Sequence, residues 1–315
     1  MADEKLASRV QKLEVDVNSV GQRIDNFLIS RLKGVPKTRI YRIIRKGEVR
    51  VNGKRIKPEY KLVLNDLVRV PPIRVSSTEK RIPTVELSQL IKDSILYQDE
   101  CLLVVNKPSG IPVHAGTGVK ISLIEVLRHI YQDEYLELVH RIDKGTSGCL
   151  LIARNSHALK LLQSDFKARA VKKDYHALVH GLWPQSLGEI DVSLKRSPEA
   201  GGERKVYVAE DGQKALTRFQ LMQHYKQHSL VLAQPRTGRT HQIRVHAQFA
   251  GFPLCADEKY SDSEQRKRLS KMGITRLCLH ANSLEFKHPV SGELIKVTAP
   301  YDEKFIMALT TLRAV

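Results

Sequence analysis

Apolar positions recur along this chain with two periods, and the switch between them outlines its elements. Ile24, Phe27, Leu28 and Leu32 repeat at helical spacing, and Ile40, Ile43 and Ile44 do so again after Val35-Pro36. Proline is favoured in a first turn, so the second repeat predicts a helix that opens at Pro36 and ends at Gly47. Glu48-Val49-Arg50-Val51 then alternates as a strand does, and Asn52-Gly53 is a hairpin turn signal before a short strand near Lys54 to Ile56. Val63, Leu64, Leu67, Val68 and Val70 mark further strands around a turn at Asn65-Asp66, and Pro71-Pro72 closes the unit. Two short helices on a small twisted sheet account for this stretch.

The rest of the chain is a larger unit. Residues 1–20 are polar and read as a flexible N-terminus, 21–72 as the small domain, 73–86 as a linker and 87–315 as a second domain. Short apolar runs at Leu102–Val105, Leu136–Val139, Cys149–Ala153, Ala177–Val179 and Leu230–Leu232 predict buried strands. Residues 122–131 and 157–169 have helical periodicity, and 261–271 is a polar, basic loop or helix. Strand-like runs thus alternate with helical patterns along this unit.

Composition places the chain among soluble globular proteins, at 42% hydrophobic and 27% charged residues. No apolar run is long enough for a membrane span, and the charged start is no secretory signal. The four cysteines are scattered and form no C-x-x-C pair, which argues for buried thiols in a reducing cytoplasm. Charge changes the picture more. The chain carries 52 Lys/Arg against 34 Asp/Glu, a formal +18, and a chain this basic usually meets a polyanion. Residues 21–72 hold 14 basic and 4 acidic side chains, or +10 in that stretch alone. On the second helix Arg39, Arg42 and Lys46 form one stripe with Arg45 beside it, and no acid interrupts the chain from Lys33 to Gly47. A solvated helix back is the ordinary reading of such a stripe; here attraction to phosphate is unopposed, and contact with an RNA backbone is the expectation.

Candidate chemistry lies in the larger unit. His140-Arg141-Ile142-Asp143-Lys144-Gly145-Thr146-Ser147-Gly148 puts one carboxylate in a polar, glycine-punctuated loop between two strand-like runs. Taken alone, that is an ordinary surface turn. Three other stretches pair apolar runs with polar loops: Asn106 to His114, Lys172-Lys173-Asp174-Tyr175, and Thr237 to His246. His176/His180 and His224/His228 have a spacing that binds metal on a helix, but the first pair lies in a strand-like segment without an acidic third ligand, so no metal site is expected. Gly116-Thr117-Gly118 lacks the further residues of a nucleotide-phosphate loop.

Together these stretches resemble the RluA-type family of RNA pseudouridine synthases, from about Leu96 to Pro300. The Asp143 loop follows the family's HRLDxxTSG pattern with Ile142 in place of Leu, and Thr237 to His246 follows TGRxHQIRxH throughout. Lys144-Gly145 departs from the usual basic-acidic pair and removes one acid near the loop. Residues 21–70, with Arg23-Ile24-Asp25 and Gly47-Glu48-Val49-Arg50-Val51-Asn52-Gly53, look like an S4-type RNA-binding domain. The resemblance implies an α+β protein: a small N-terminal S4-type α/β RNA-binding domain and a catalytic domain with a mixed, largely antiparallel sheet flanked by helices. It implies conversion of uridine to pseudouridine in 23S, large-subunit ribosomal RNA. Asp143 would be the reacting carboxylate, Arg244 its guanidinium partner, and Tyr175 the aromatic that stacks on the target uracil and is tied to proton removal from C5. Arg141 would fill the stack vacated by the flipped base, and Lys107 would contact RNA. The isomerisation is neither redox nor hydrolytic, so one positioned acid suffices and no coenzyme is expected. A cytoplasmic monomer is the default.

Two other readings stay open at this level. One is a non-catalytic S4-domain RNA-binding or ribosome-assembly protein. The other is a hydrolase with Asp143 as base, which would ordinarily want a second carboxylate, a metal or a Ser/His pair.

Overall fold

The computed structural model describes residues 9–32, 35–73, 82–114, 121–132, 134–197 and 205–314. Residues 1–8 and most of the expected linker, 74–81, lie outside the described residues, as does Gly116-Thr117-Gly118. The chain divides into two units, Met1–Ile82 and Pro83–Val315.

The first unit contains β1 (Gln11–Glu14), α1 (Ile24–Arg31), α2 (Lys37–Arg45), β2 (Arg50–Val51), β3 (Lys54–Arg55) and β4 (Leu67–Val70). Its antiparallel sheet has the order β1-β4-β2-β3. The expected hairpin turn is present, with Asn52 and Gly53 both at positive φ, the backbone that two-residue hairpins require. Val63 and Leu64 do not form a strand and are exposed; they precede the turn at Asn65 (φ 65). The reading of residues 1–20 as flexible is corrected over its described part. Gln11–Glu14 pairs along β4, and Val15 and Ser19 are buried. Ile24, Phe27, Leu28, Ile40, Ile43 and Ile44 pack with Val49, Val51, Val68 and Val70 into one core. Asp25, itself buried, takes two hydrogen bonds from Arg23 (3.1 and 2.7 Å) and one from the Tyr41 hydroxyl (3.1 Å), tying α1 to α2. This leaves Arg42, Arg45 and Lys46 exposed, and Arg39 partly so.

The second unit begins with α3 (Val85–Asp93), β5 (Ile95–Gln98), β6 (Leu102–Lys107), α4 (Leu123–Ile130), β7 (Glu137–Leu138), β8 (Ser147–Ala153), α5 (Ser156–Lys167) and β9 (Lys172–His180). It continues through β10 (Glu189–Asp191), β11 (Leu194–Arg196), β12 (Val206–Val208), β13 (Leu216–His224), β14 (His228–Pro235), α6 (Gln242–Phe249), α7 (Ser263–Lys271), β15 (Leu279–Lys287), β16 (Leu294–Thr298) and α8 (Glu303–Ala314). The main sheet runs β10-β13-β14-β9-β15-β8-β6-β5, with β16 on β15 and β7 on β8, and β11-β12 form a separate ribbon. Among the described strand pairs only β8 with β15 is parallel, so the sheet is mixed and largely antiparallel.

Helices cover both faces of this sheet, and that explains the unbroken apolar runs of the sequence. Leu103, Val105, Leu150 and Ile152 pack under α3 and α4, while Leu102, Val104, Leu151 and Ala153 point the other way onto α5. In β9, Ala177 and Val179 face α6 and Trp183, whereas Leu178 faces α7 and α8. Pairing with β8 brings the loop that precedes it to the middle of the sheet, beside β15 and β9.

Gly148 makes this parallel pairing possible. Its φ is +103°, and a Cβ there would lie 2.2 Å from the carbonyl oxygen of Ala281, whose strand is also bound to Tyr175 on its other side. Neither backbone can retreat. Gly148→Ala is expected to cost about 3 kcal/mol or more of stability, through steric overlap and a left-handed backbone together. A chemical-denaturation midpoint measures this, and a change under about 0.5 kcal/mol, the level of an ordinary surface substitution, would contradict it.

Candidate active site

Asp143 stands in the loop just before β8. Ile142, next to it, is buried in the core under α3 and α4, so Arg141 and Asp143 on either side face outward. The Thr146 N–H donates to the Asp143 carbonyl (3.1 Å), which closes a turn. The segment after β6 grips the same loop. The Ser109 hydroxyl donates to the Gly145 carbonyl (2.7 Å), and the Gly110 N–H to that of Lys144 (2.8 Å).

Lys107 belongs to this grip, and its expected role as an RNA contact is corrected. Its side chain is wholly buried, and Nζ donates to the carbonyls of Pro108, Ile111 and Lys144 at 2.8, 2.9 and 3.1 Å. Burial, with repulsion from Arg276, pulls its pKa down to about 7. The ammonium secures the backbone behind Asp143 and is shut off from phosphate.

Arg244 approaches Asp143 from the opposite wall. It lies on α6, with its side chain buried to 8% exposure. The local fold follows from the TGRTHQIRVH stretch. Gln242 accepts from the Thr237 hydroxyl (2.6 Å) and the Arg239 N–H (3.0 Å), and donates to Leu216 O and Thr217 Oγ1, both at 2.9 Å. This network folds the turn after β14 and starts the helix, with His241 at a left-handed φ of 53°. Arg244 Nη1 then donates to Asp143 Oδ2 at 3.0 Å. Its two-pronged contact goes elsewhere: Nε and Nη2 bind both oxygens of Asp257 at 2.7 and 2.8 Å. Burial alone would weaken the guanidinium charge, but the bond and charge of Asp257, and then Asp143, push its pKa up.

Asp257 and Tyr260 are site residues that the sequence reading missed. Asp257 is fully buried and also accepts the backbone N–H groups of Lys259 and Tyr260 (3.0 and 3.2 Å). The Tyr260 ring lies under the Arg244 guanidinium, 5.0 Å away, and its hydroxyl meets His241 Nδ1 at 2.8 Å. The only signal in the sequence was an acid placed directly after the apolar Pro253–Ala256 run. The other His241 nitrogen is 4.0 Å from Asp143 Oδ2. Burial holds its pKa down to about 4, against the pull of Asp143, so the imidazole is neutral near pH 7. His140 is also neutral; it accepts from the Leu151 N–H (3.1 Å) and stacks on Phe166. His246, at the end of the same stretch, meets the Val192 carbonyl (3.3 Å).

Tyr175 projects from β9 between Ala233 on β14 and Ala281 on β15, and its ring packs against the cores on either side while lining the site. Burial, and then the nearby Asp143 charge, raise its pKa, so the phenol is protonated. Asp143, Arg244 and Tyr175 all line one cavity of about 530 Å³, with Arg141 on its wall. Lys167, Arg169, Lys173, Arg236 and Arg239 also line it, and Asp143 is the only acid among its lining residues. Burial and the charges of Arg169 and Arg236 lower the pKa of Lys173, a sign of cations crowded without counter-ions. The basic residues of α2 belong to the first unit.

A cavity of this size takes a small planar ligand, and its cationic rim takes the phosphates on either side. That combination defines an enzyme acting on single bases of a nucleic acid. Comparison with known proteins narrows the class. Residues 101–249 match the family described as RNA pseudouridylate synthase, and 22–68 match the S4 domain. The chain is 48% identical over 315 residues to "Ribosomal large subunit pseudouridine synthase C" of Pasteurella multocida (strain Pm70), covering 99% of this chain and 97% of that protein. It is 46% identical over 309 residues to the protein of the same name from Escherichia coli (strain K12), covering 96% and 97%. Among solved structures, "Human RNA Pseudouridylate Synthase Domain Containing 4" aligns with a TM-score of 0.60 at 29% identity, over 72% of this chain and 96% of that one. The chain belongs to the RNA pseudouridine synthase family, as a member that carries an S4 domain.

Proposed function

We propose that this chain isomerises selected uridines of large-subunit (23S) ribosomal RNA to pseudouridine, with Asp143 as the reacting carboxylate. The observation that carries the reading is the placement of one acid, held by a buried arginine and flanked by an aromatic ring, in a cavity whose other charged lining residues are all basic. The names of the relatives support the RNA substrate. No helix among the described residues is long and apolar enough to cross a membrane. A ribosomal RNA substrate places the work in the cytoplasm, and a monomer is the proposed working form.

The target nucleotide is extruded from its stack, and Arg141, exposed beside Asp143, takes the place it leaves. The uracil enters the cavity against Tyr175. Asp143 acts on the nucleotide, the N1–C1′ bond breaks, the base turns, and a C5–C1′ bond forms. The C5 proton leaves and N1 gains one, so composition is conserved. Arg244 keeps the carboxylate aimed while RNA phosphates approach. Tyr175 is a neutral phenol in the free protein, which favours stacking on the base over an initial role as proton acceptor.

The test is a pseudouridine map of unmodified large-subunit RNA after incubation with the purified chain. Discrete new sites support the proposal. Binding without product would favour the non-catalytic reading, and release of free uracil the hydrolase. The first unit is expected to add affinity through phosphate. Replacing Arg39, Arg42 and Lys46 by glutamine should lower the slope of log K against log salt by about 2–3, with little change in thermal stability. An unchanged slope would remove α2 from the RNA interface.

A further inference from the structure

The sheet assembles a second group of polar side chains that the isomerisation does not use. His228 on β14 lies directly across from His180 on β9. On the other side of β9, the segment Pro253–Cys255 adds to the strand. His180 N donates to Pro253 O (2.9 Å), Cys255 N donates to Leu178 O (2.8 Å), and Val179 bridges Leu254. In that antiparallel register Cys255 stands opposite Leu178, on the same face as His180 and His228. One nitrogen of each imidazole and the Cys255 sulfur all lie within 4.8 Å of one another. The histidine pairs suggested by sequence spacing were His176/His180 and His224/His228; the pair that meets is His180/His228, joined only by strand register.

We propose that His180, His228 and Cys255 form a zinc-binding site, with the fourth position open to water. Three observations carry it. The donor set, two imidazoles and one thiol, is one that a borderline-soft, tetrahedral ion prefers. His180 is buried to 9% exposure, and its Nε2 has no hydrogen-bond partner, a state that buried polar atoms seldom keep unless something else satisfies them. The rings of His180 and His228 stand 5.1 Å apart and tilted by 48°, neither stacked nor hydrogen-bonded to each other, as two ligands of one ion stand. Ligand atoms around tetrahedral zinc are roughly 3.3–3.8 Å apart, so closure takes side-chain shifts of about 1 Å.

The protonation states fit. Burial lowers the pKa of both histidines, that of His180 to about 4, so each imidazole is neutral near pH 7 and offers a lone pair on one ring nitrogen. Burial raises that of the Cys255 thiol. Zinc must therefore replace the thiol proton: the S–H bond breaks, a Zn–S bond forms, and one proton goes to solvent. A second cluster, Asp99, Cys101 and His288, does not compete. Asp99 is already engaged by the Tyr97 hydroxyl, two backbone N–H groups and His288, and His288 Nδ1 accepts from Val290 N and Ser291 N.

The ion would act as a staple. Cys255 lies two residues before Asp257, which holds Arg244, so zinc would fix that segment to the central strand from the side away from the RNA cavity. This does not depend on the isomerase reading. The test uses the untagged full-length chain, stripped with chelator, loaded with Zn²⁺, desalted and assayed for metal. About one zinc per chain is expected, with a higher melting temperature. His228→Ala, at a half-exposed position, should weaken binding by more than the roughly 10–100-fold that loss of an outer-shell partner costs. Cys255→Ser should do the same. Co²⁺ in place of zinc should give a thiolate-to-cobalt charge-transfer band that is absent in Cys255→Ser. Should Cys255→Ser not fold, His228→Ala and the cobalt spectrum of the parent chain decide. No retained zinc, equal retention in His228→Ala, or cobalt bound without the charge-transfer band would each overturn the site.

Discussion

Asp143→Asn is expected to lower single-turnover isomerisation by roughly 10⁴-fold or more, the scale on which loss of a reacting group acts. That corresponds to about 5.5 kcal/mol of transition-state stabilisation. The substitution keeps the shape of the side chain and an oxygen that can accept from Arg244, 3.0 Å away in the parent chain. Asp257 continues to hold the guanidinium by its other two bonds, so the site should keep its geometry. RNA affinity should stay within a few-fold or rise slightly, because the one acid lining a cationic cavity has been neutralised. Measuring turnover by pseudouridine mapping and affinity by filter binding separates the two effects. Turnover within tenfold of the parent chain would remove Asp143 from its proposed role, and a parallel collapse of affinity would make it a binding residue instead.

What the sequence could reveal of this site depended on how local each feature is. The Asp143 loop and the TGRTHQIRVH stretch are each continuous in the sequence, and local contacts help shape both: the Thr146 N–H closes a turn on the Asp143 carbonyl, and Gln242 binds the turn that precedes it. The strands at Leu102 and Cys149 were legible because helices cover both faces of the sheet, leaving uninterrupted apolar runs. Features made by distant pairing were not legible. Gln11–Glu14 has only Leu13 as an apolar residue and becomes a strand because β4 offers it an edge. Lys107 falls in a stretch that reads as a polar loop, yet it ends β6 and three carbonyls turned inward capture it. Arg244 lies in a stretch that reads as a polar loop beside an apolar run, yet the Gln242 network starts a helix there. Asp257, thirteen residues beyond Arg244, meets it only because the chain after α6 returns along β9.

That returning segment makes Arg244 the residue whose loss should disturb most. Arg244→Ala removes the partner of Asp143 and also leaves Asp257, with 0% exposure, as a buried carboxylate supported by two backbone N–H groups alone. Breaking a buried pair from one side costs about 3–5 kcal/mol, because the remaining charge stays desolvated. Turnover should fall by roughly 10²–10³-fold on the scale of a lost charge-stabilising donor. Arg244→Lys keeps the charge, but one ammonium cannot reproduce a planar fork that serves two carboxylates, so it should recover part of the stability and little of the turnover. The double substitution Arg244→Met with Asp257→Asn removes both buried charges. It should regain most of the lost stability while turnover remains as low as in Arg244→Ala. Denaturation midpoints and single-turnover rates for these three variants distinguish two roles for one side chain, a counter-charge for Asp257 and an aiming group for Asp143. Turnover that recovers together with stability in the double variant would assign Arg244 to the fold alone.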